Sequence, residues 1–232
     1  MTQSYYTETP LTTWKKVLGP KMHYHFGSHS TENIFDQAVR NLYPFIPNNS
    51  SILDIGCGWG GPATLLENEK ACFVHGVTNS EQHYLHNAQT TFLHDANTFT
   101  PQQDYDIAIF IESLTHFTSP KQVLHNIKPY INKIVIKDFV SANDYYNDDW
   151  HMHFRSFQSF TDLISPFYRI THMKIDLETD VYNSAKFWYN NINKLQPHEY
   201  TPHIQNLKDL SSVILSSPPD ANLVKLITIV AE

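Results

Sequence analysis

Residues 52–62 read Ile-Leu-Asp-Ile-Gly-Cys-Gly-Trp-Gly-Gly-Pro, an apolar strand that runs into a glycine-rich turn and then a proline-opened helix. Few architectures use that order. Glycines let the chain turn at positive φ and let backbone approach a ligand closely, while the helix behind them offers unpaired N–H groups. Asp54, at the strand's carboxyl end, is placed to accept hydrogen bonds from a cationic or N–H-bearing ligand group. A dinucleotide site would space its glycines Gly-x-Gly-x-x-Gly and set a pyrophosphate on the helix N-terminus. Here the spacing is Asp54-x-Gly56-x-Gly58-x-Gly60.

From Ser51 onward, short apolar runs alternate with helix-like segments, the signature of a mostly parallel sheet covered on both faces by helices. The pattern predicts strands at Ser51–Asp54, Ala71–Val77, Thr91–Leu93, Asp106–Ile111, Lys133–Phe139, Arg169–Leu177 and Asn222–Ala231. Helices are expected at Gly60–Asn68, Ser80–Gln89, Pro120–Tyr130, and within Tyr182–Leu195 and Pro202–Leu215. The stretch after Phe139 reads as a loop entering a helix. The expected fold is therefore α/β, a Rossmann-like, mostly parallel seven-stranded sheet. Residues 1–50, with amphipathic clusters around Trp14 and Ala38, read as an N-terminal helical cap; residues 51–232 read as the sheet domain, with cap insertions after the fifth strand and before the last.

Charge and composition exclude several partners. The net charge of −7, with arginine only at positions 40, 155 and 169, is wrong for a phosphate-backbone ligand and leaves few bidentate clamps for a highly anionic one. The start MTQSYYTETPLTTWKK lacks a secretory pattern, and no apolar run is long enough to span a bilayer, so a cytoplasmic location and no membrane partner are expected. Cys57 and Cys72 are too few for a disulfide framework. The 14 histidines are dispersed without a recognisable ligand set, so no metal is expected. Homo-oligomerisation stays open.

The Asp54 to Gly60 turn resembles the nucleotide motif of class I S-adenosylmethionine-dependent methyltransferases, and later segments fall where that family places its own. Gly76-Val77-Thr78-Asn79-Ser80 resembles the Gly-Val-Thr-x-Ser turn of cyclopropane-synthase-like and small-molecule methyltransferases. Many members hold the ribose hydroxyls with an acidic residue at this strand end. None stands here, so the resemblance implies Thr78 and Asn79 in that role, helped by Gln82, although the related pattern puts its Gln one position later, where this chain has His83. His94-Asp95-Ala96 looks like the family's Asp-Ala pair, which implies that Asp95 and Ala96 contact the adenine. Glu112-Ser113-Leu114-Thr115-His116 resembles the Glu-Ser-Leu-x-His stretch of rebeccamycin-type sugar O-methyltransferases, and Ile136-Lys137-Asp138-Phe139 matches the end of their fifth strand. Met22 to Gly27 resembles the His-x-Gly turn that crosses the cofactor near its methionine carboxylate, implying contacts from Tyr24 and His25. The resemblance implies S-adenosyl-L-methionine as cofactor, held by Asp54, Gly56, Cys57, Gly58, Gly60 and Glu112 together with those residues.

The acceptor is less legible, because this fold keeps one site constant and varies the cap. Trp150, His151 and Phe154 are expected to enclose an aromatic or sugar-like small molecule. Lys186, Phe187 and Trp188 read as cap packing. A hydroxyl acceptor needs its proton removed, whereas an enolate carbon or neutral amine needs only positioning; His116 as base with Asp138 as its orienting partner favours O-methylation of a specialised metabolite. Positioned C- or N-methylation, lipid or alkene methylation of the cyclopropane-synthase type, and a cofactor-binding scaffold without turnover are the alternatives.

Overall fold

A computed structural model describes residues 8–148, 150–218 and 225–232. One helix, α1 (Leu11–Leu18), a two-residue strand β1 (Gly27–Ser28) and α2 (Ile34–Arg40) precede the sheet region. There follow β2 (Ser51–Ile55), α3 (Gly61–Lys70), β3 (Phe73–Thr78), α4 (Glu81–His86), β4 (Thr91–Leu93), β5 (Tyr105–Ile111), α5 (Pro120–Ile127) and β6 (Ile131–Phe139). The last part holds β7 (Tyr145–Asn147), β8 (Met152–Phe154), α6 (Phe157–Ile164), β9 (Ile170–Asp176), β10 (Thr179–Asp180), α7 (Val181–Ile192), α8 (Pro202–Ser216) and β11 (Leu226–Ala231).

Seven strands form one sheet in the order β4-β3-β2-β5-β6-β11-β9. The first five are parallel, and β11 inserts antiparallel to both β6 and β9. The chain winds outward from β2 to β4, then returns to add β5 on the other side of β2. That reversal opens a crevice at the carboxyl ends of β2 and β5, where ligands of open α/β sheets bind.

Side-chain alternation along the strands explains the layers. Leu53, Ala108, Phe110, Ile134 and Ile136 face Val123, Leu124 and Ile127 of α5 and Phe160, Leu163 and Ile164 of α6. Their neighbours Ile52, Ile107, Ile109 and Val135 face Val39, Leu42, Leu65 and Leu66 on the opposite side. A third cluster joins Trp14, Val17 and Leu18 to Ala185, Trp188 and Ile192 of α7 and to Ile204, Leu207 and Ile214 of α8. Among the described residues no helix is long and apolar enough to cross a membrane.

The structure corrects the sequence reading locally. The expected loop after Phe139 contains an antiparallel hairpin, β7 with β8. Cross-strand aromatic pairs hold it: Tyr145 stacks on Phe154 with ring centres 4.7 Å apart, and Tyr146 lies 4.5 Å from His153. Helix α4 stops at His86, short of Gln89, because Asn87 leaves the helix and donates through Nδ2 to the Trp59 carbonyl at 2.8 Å. The last strand begins at Leu226, and residues 222–224 of the expected span lie outside the described residues.

Candidate active site

Gly56 takes a φ of +81°, and the N–H groups of Gly56 and Cys57 both donate to the Val77 carbonyl, at 2.9 and 3.2 Å. The turn after β2 is thereby tied to the end of β3. A Cβ on Gly56 would lie 2.6 Å from Cβ of Ser113, whose hydroxyl donates to the Ile55 carbonyl at 2.6 Å. Only glycine lets the loop after β5 pack so closely on this turn. Glu112, in that loop, has a φ of +51° and is held at both ends: its N–H donates to Lys137 carbonyl at 2.7 Å, and its Oε1 accepts from Phe26 N–H at 2.8 Å.

These loops surround a cavity of about 290 Å³. Asp54, Gly56, Cys57, Gly58, Thr78, Asn79, Asp95, Ala96, Glu112, Tyr24 and His25 all line it, as do His116, Trp150 and Phe154. Gly60, Gln82, Asp138 and His151 do not. Gly60, at φ +78°, starts α3 against the Asn87 side chain. His83, not Gln82, faces the cavity: Ser80 caps α4 by accepting the His83 N–H, and the His83 ring meets Trp59 edge to face with centres 4.3 Å apart.

The expected His116–Asp138 pair takes another form. Asp138 is fully buried, and its carboxylate accepts from the backbone N–H groups of Thr115 at 3.1 Å and Phe139 at 2.7 Å. It thus braces the loop that carries His116 instead of orienting the imidazole. The imidazole hydrogen-bonds to the His151 backbone, and its Nδ1 is buried without a partner. His151 therefore contributes main chain to the site, while its exposed side chain sits 3.1 Å from the Tyr146 hydroxyl. The Thr115 hydroxyl donates to the His153 carbonyl at 2.7 Å, which fixes the hairpin to the same loop.

Burial sets the electrostatics. It pushes Asp54 up to about 7, and one oxygen of that carboxyl, Oδ2, has no hydrogen-bond partner. Glu112 is pushed up to about 8 by burial, against the opposing pull of Lys137 and the Phe26 amide. Burial also drives His116 down to about 4, resisted by its bond to the His151 backbone, and His83 down to about 3. Near neutral pH burial thus favours the neutral forms of these side chains, and of His25, whose buried ring is also held well below the ordinary histidine value.

The other half of the cavity is apolar. Phe26, Phe139, Met152, Trp188, Leu207 and Leu210 join Trp150 and Phe154. Sequence reasoning missed these, and Trp188 in particular, because helical periodicity gives a core-facing and a cavity-facing side chain the same signal. Asp95 spends Oδ1 on its own loop, accepting from the Asn97 N–H at 2.9 Å. Tyr24 Oη lies 3.0 Å from His203 Nε2, which anchors the N-terminal segment to α8. Among the described residues no group of three or more His, Cys, Asp or Glu side chains is arranged to hold a metal ion.

A parallel-sheet crevice with a glycine turn, an acidic strand end and a variable aromatic cap defines the class I, S-adenosylmethionine-dependent methyltransferase type. Residues 27–178 match the family described as "Methyltransferase domain", so the chain belongs to that family. It is 25% identical over 150 residues to (S)-tetrahydroprotoberberine N-methyltransferase of Eschscholzia californica, a match covering 54% of this chain and 43% of that protein. The chain thus aligns with less than half the length of that curated relative. Coclaurine N-methyltransferase, solved with N-methylheliamine and S-adenosylhomocysteine bound, superposes with a TM-score of 0.76 at 16% identity, over 96% of this chain and 80% of that one. A cyclopropane synthase of Mycobacterium tuberculosis superposes with a TM-score of 0.78 at 10% identity, over 99% and 96%. The residues present fit S-adenosylmethionine: the partnerless oxygen of buried Asp54 suits a cationic group such as its ammonium, and Thr78, Asn79, Asp95 and Ala96, expected from the family resemblance to hold its ribose and adenine, line the same cavity.

Proposed function

We propose that this chain transfers a methyl group from S-adenosylmethionine to a hydroxyl oxygen of a small, largely apolar metabolite, with His116 as the base. The observation that carries the reading is the state of His116: on the cavity wall, neutral, with one hydrogen bond to the His151 backbone and Nδ1 unpaired. Bound S-adenosylmethionine supplies an electrophilic methyl carbon on a sulfonium. The acceptor oxygen must meet that carbon in line, which the Trp150, Phe154 and Trp188 walls serve by limiting its poses and excluding water. With donor and acceptor bound, His116 would take the hydroxyl proton at Nδ1, a buried nitrogen that the acceptor must reach, and the methyl's bond to sulfur would break as its bond to oxygen forms, leaving S-adenosylhomocysteine. A base near 4 does not ionise a free alcohol or phenol, so proton transfer is coupled to bond formation.

His116→Asn should lower kcat by roughly 10²- to 10⁴-fold, the usual cost of losing a general base, with the affinity for S-adenosylhomocysteine changed little. A second reading, transfer to an amine by positioning alone, draws on the N-methyltransferase relative and on the engagement of Asp138 with backbone instead of His116. Under that reading His116→Asn keeps the wild-type kcat on the true acceptor.

A further inference from the structure

A chain of hydrogen bonds runs from the surface to the cavity wall through α2 and the segment before β1. Asp36, buried on α2, receives the Lys21 ammonium and lies 3.6 Å from Arg40 Nη2. Its Oδ1 is 3.0 Å from His23 Nε2, His23 Nδ1 is 3.1 Å from His25 Nε2, and His25 Nδ1 is 3.0 Å from the Phe26 carbonyl. Both rings are buried, and His23 stacks on Phe35. The inner end meets the site: His25 lines the cavity, and the Phe26 N–H holds Glu112.

The protons along this chain can be counted. A carbonyl only accepts, so His25 Nδ1 carries a proton. Neutral His25 then has a bare Nε2, and its contact with His23 requires a proton on His23 Nδ1. Neutral His23 would in turn present a bare Nε2 to Asp36, lone pair against lone pair. The same carboxyl already meets two cations, Lys21 and Arg40. All three links therefore close only with one proton more than two neutral imidazoles possess.

We propose that His23 holds this extra proton as an imidazolium paired with Asp36, and that the pair are positioning residues which fix residues 22–26 against the cofactor cavity. Loss of the proton opens one link and loosens Tyr24, His25 and Phe26 on the wall. The groups facing the two rings are Lys21 from their own segment, Asp36 and Arg40 from α2, and Lys137 from β6. Burial holds His23 below the ordinary histidine value although Asp36 pulls the other way, so the chain is complete on the acid side of that titration and loses a link as pH rises.

The test is a long-range ¹H–¹⁵N spectrum of the wild-type histidines across the pH range in which the fold persists, with His23 assigned by its loss in His23→Gln. His23 should pass from two ring protons to one as pH rises. Asp36→Asn supplies an amide donor to neutral His23 and closes the chain without the extra proton. Its Kd for S-adenosylhomocysteine, taken as a ratio to wild type because Asp54 and Glu112 titrate in both, should fall by about two- to twelvefold as pH rises through the transition, the worth of one hydrogen bond. A single ring proton on His23 throughout, or a ratio constant with pH, overturns the proposal. The spectrum decides alone if Asp36→Asn does not fold, and it is independent of what the cavity binds.

Discussion

Asp54 bears two opposed demands. Folding buries its carboxyl and raises it to about 7, whereas the unfolded chain ionises near 3.9. Between those values the folded form keeps a proton that the unfolded form has lost, so the contribution of Asp54 to stability falls as pH rises through that window and levels off above it. Binding reverses the sign, since a cationic ligand group stabilises the carboxylate. Asp54→Asn should therefore melt several degrees higher than wild type without ligand at pH 8, with the gain shrinking as pH falls and vanishing only below about pH 4, while its Kd for S-adenosylhomocysteine rises at least about tenfold, the equivalent of roughly 1.4 kcal/mol. Scanning calorimetry and titration calorimetry on the same samples check both halves. A variant less stable than wild type at pH 8, or one that binds as tightly, would show that the carboxyl has a different task.

The loop after β5 and the β7–β8 hairpin line the part of the cavity that we assign to the acceptor, and each has its own support. Asp138 holds the loop through the Thr115 and Phe139 amides, so Asp138→Asn leaves one amide poorly paired and should cost about 1–3 kcal/mol of stability. Because Asp138 does not orient the imidazole, the same variant should lower kcat without moving its pH dependence; a displaced acid limb would restore it as the partner of His116. Trp150→Ala, in the hairpin turn, should raise KM for the acceptor and leave S-adenosylhomocysteine affinity within about twofold, a change under roughly 0.5 kcal/mol. Equal losses for both ligands would place Trp150 on the cofactor side.

These elements also show what sequence can and cannot reveal. The strands and the glycine turn were legible because apolar runs and positive-φ glycines are local requirements, and most residues that the family resemblance placed on the cofactor side line the cavity. The hairpin was not, since its pairing depends on aromatic stacking between Tyr145 and Phe154, a contact made only once the chain has turned back. His83 replaced Gln82 through the helix cap at Ser80, which sets the rotation of α4 by a single residue. The partner of His116 was misread because two strand ends can be neighbours while their side chains answer to backbone amides nearer at hand.

At the scale of the whole molecule, the sheet reversal between β2 and β5, the glycine turn and the N-terminal segment converge on one cavity. If that cavity is largely preformed, S-adenosylhomocysteine should bind it and stabilise the fold by mass action. Saturation near 100 times Kd adds about 2.7 kcal/mol, which for a chain of this size is a melting shift of roughly 5 to 11 °C. Titration calorimetry gives the Kd at which the melt is then run. The account expects one site per chain and an upward shift in that range; no binding heat and an unchanged melting temperature would contradict it.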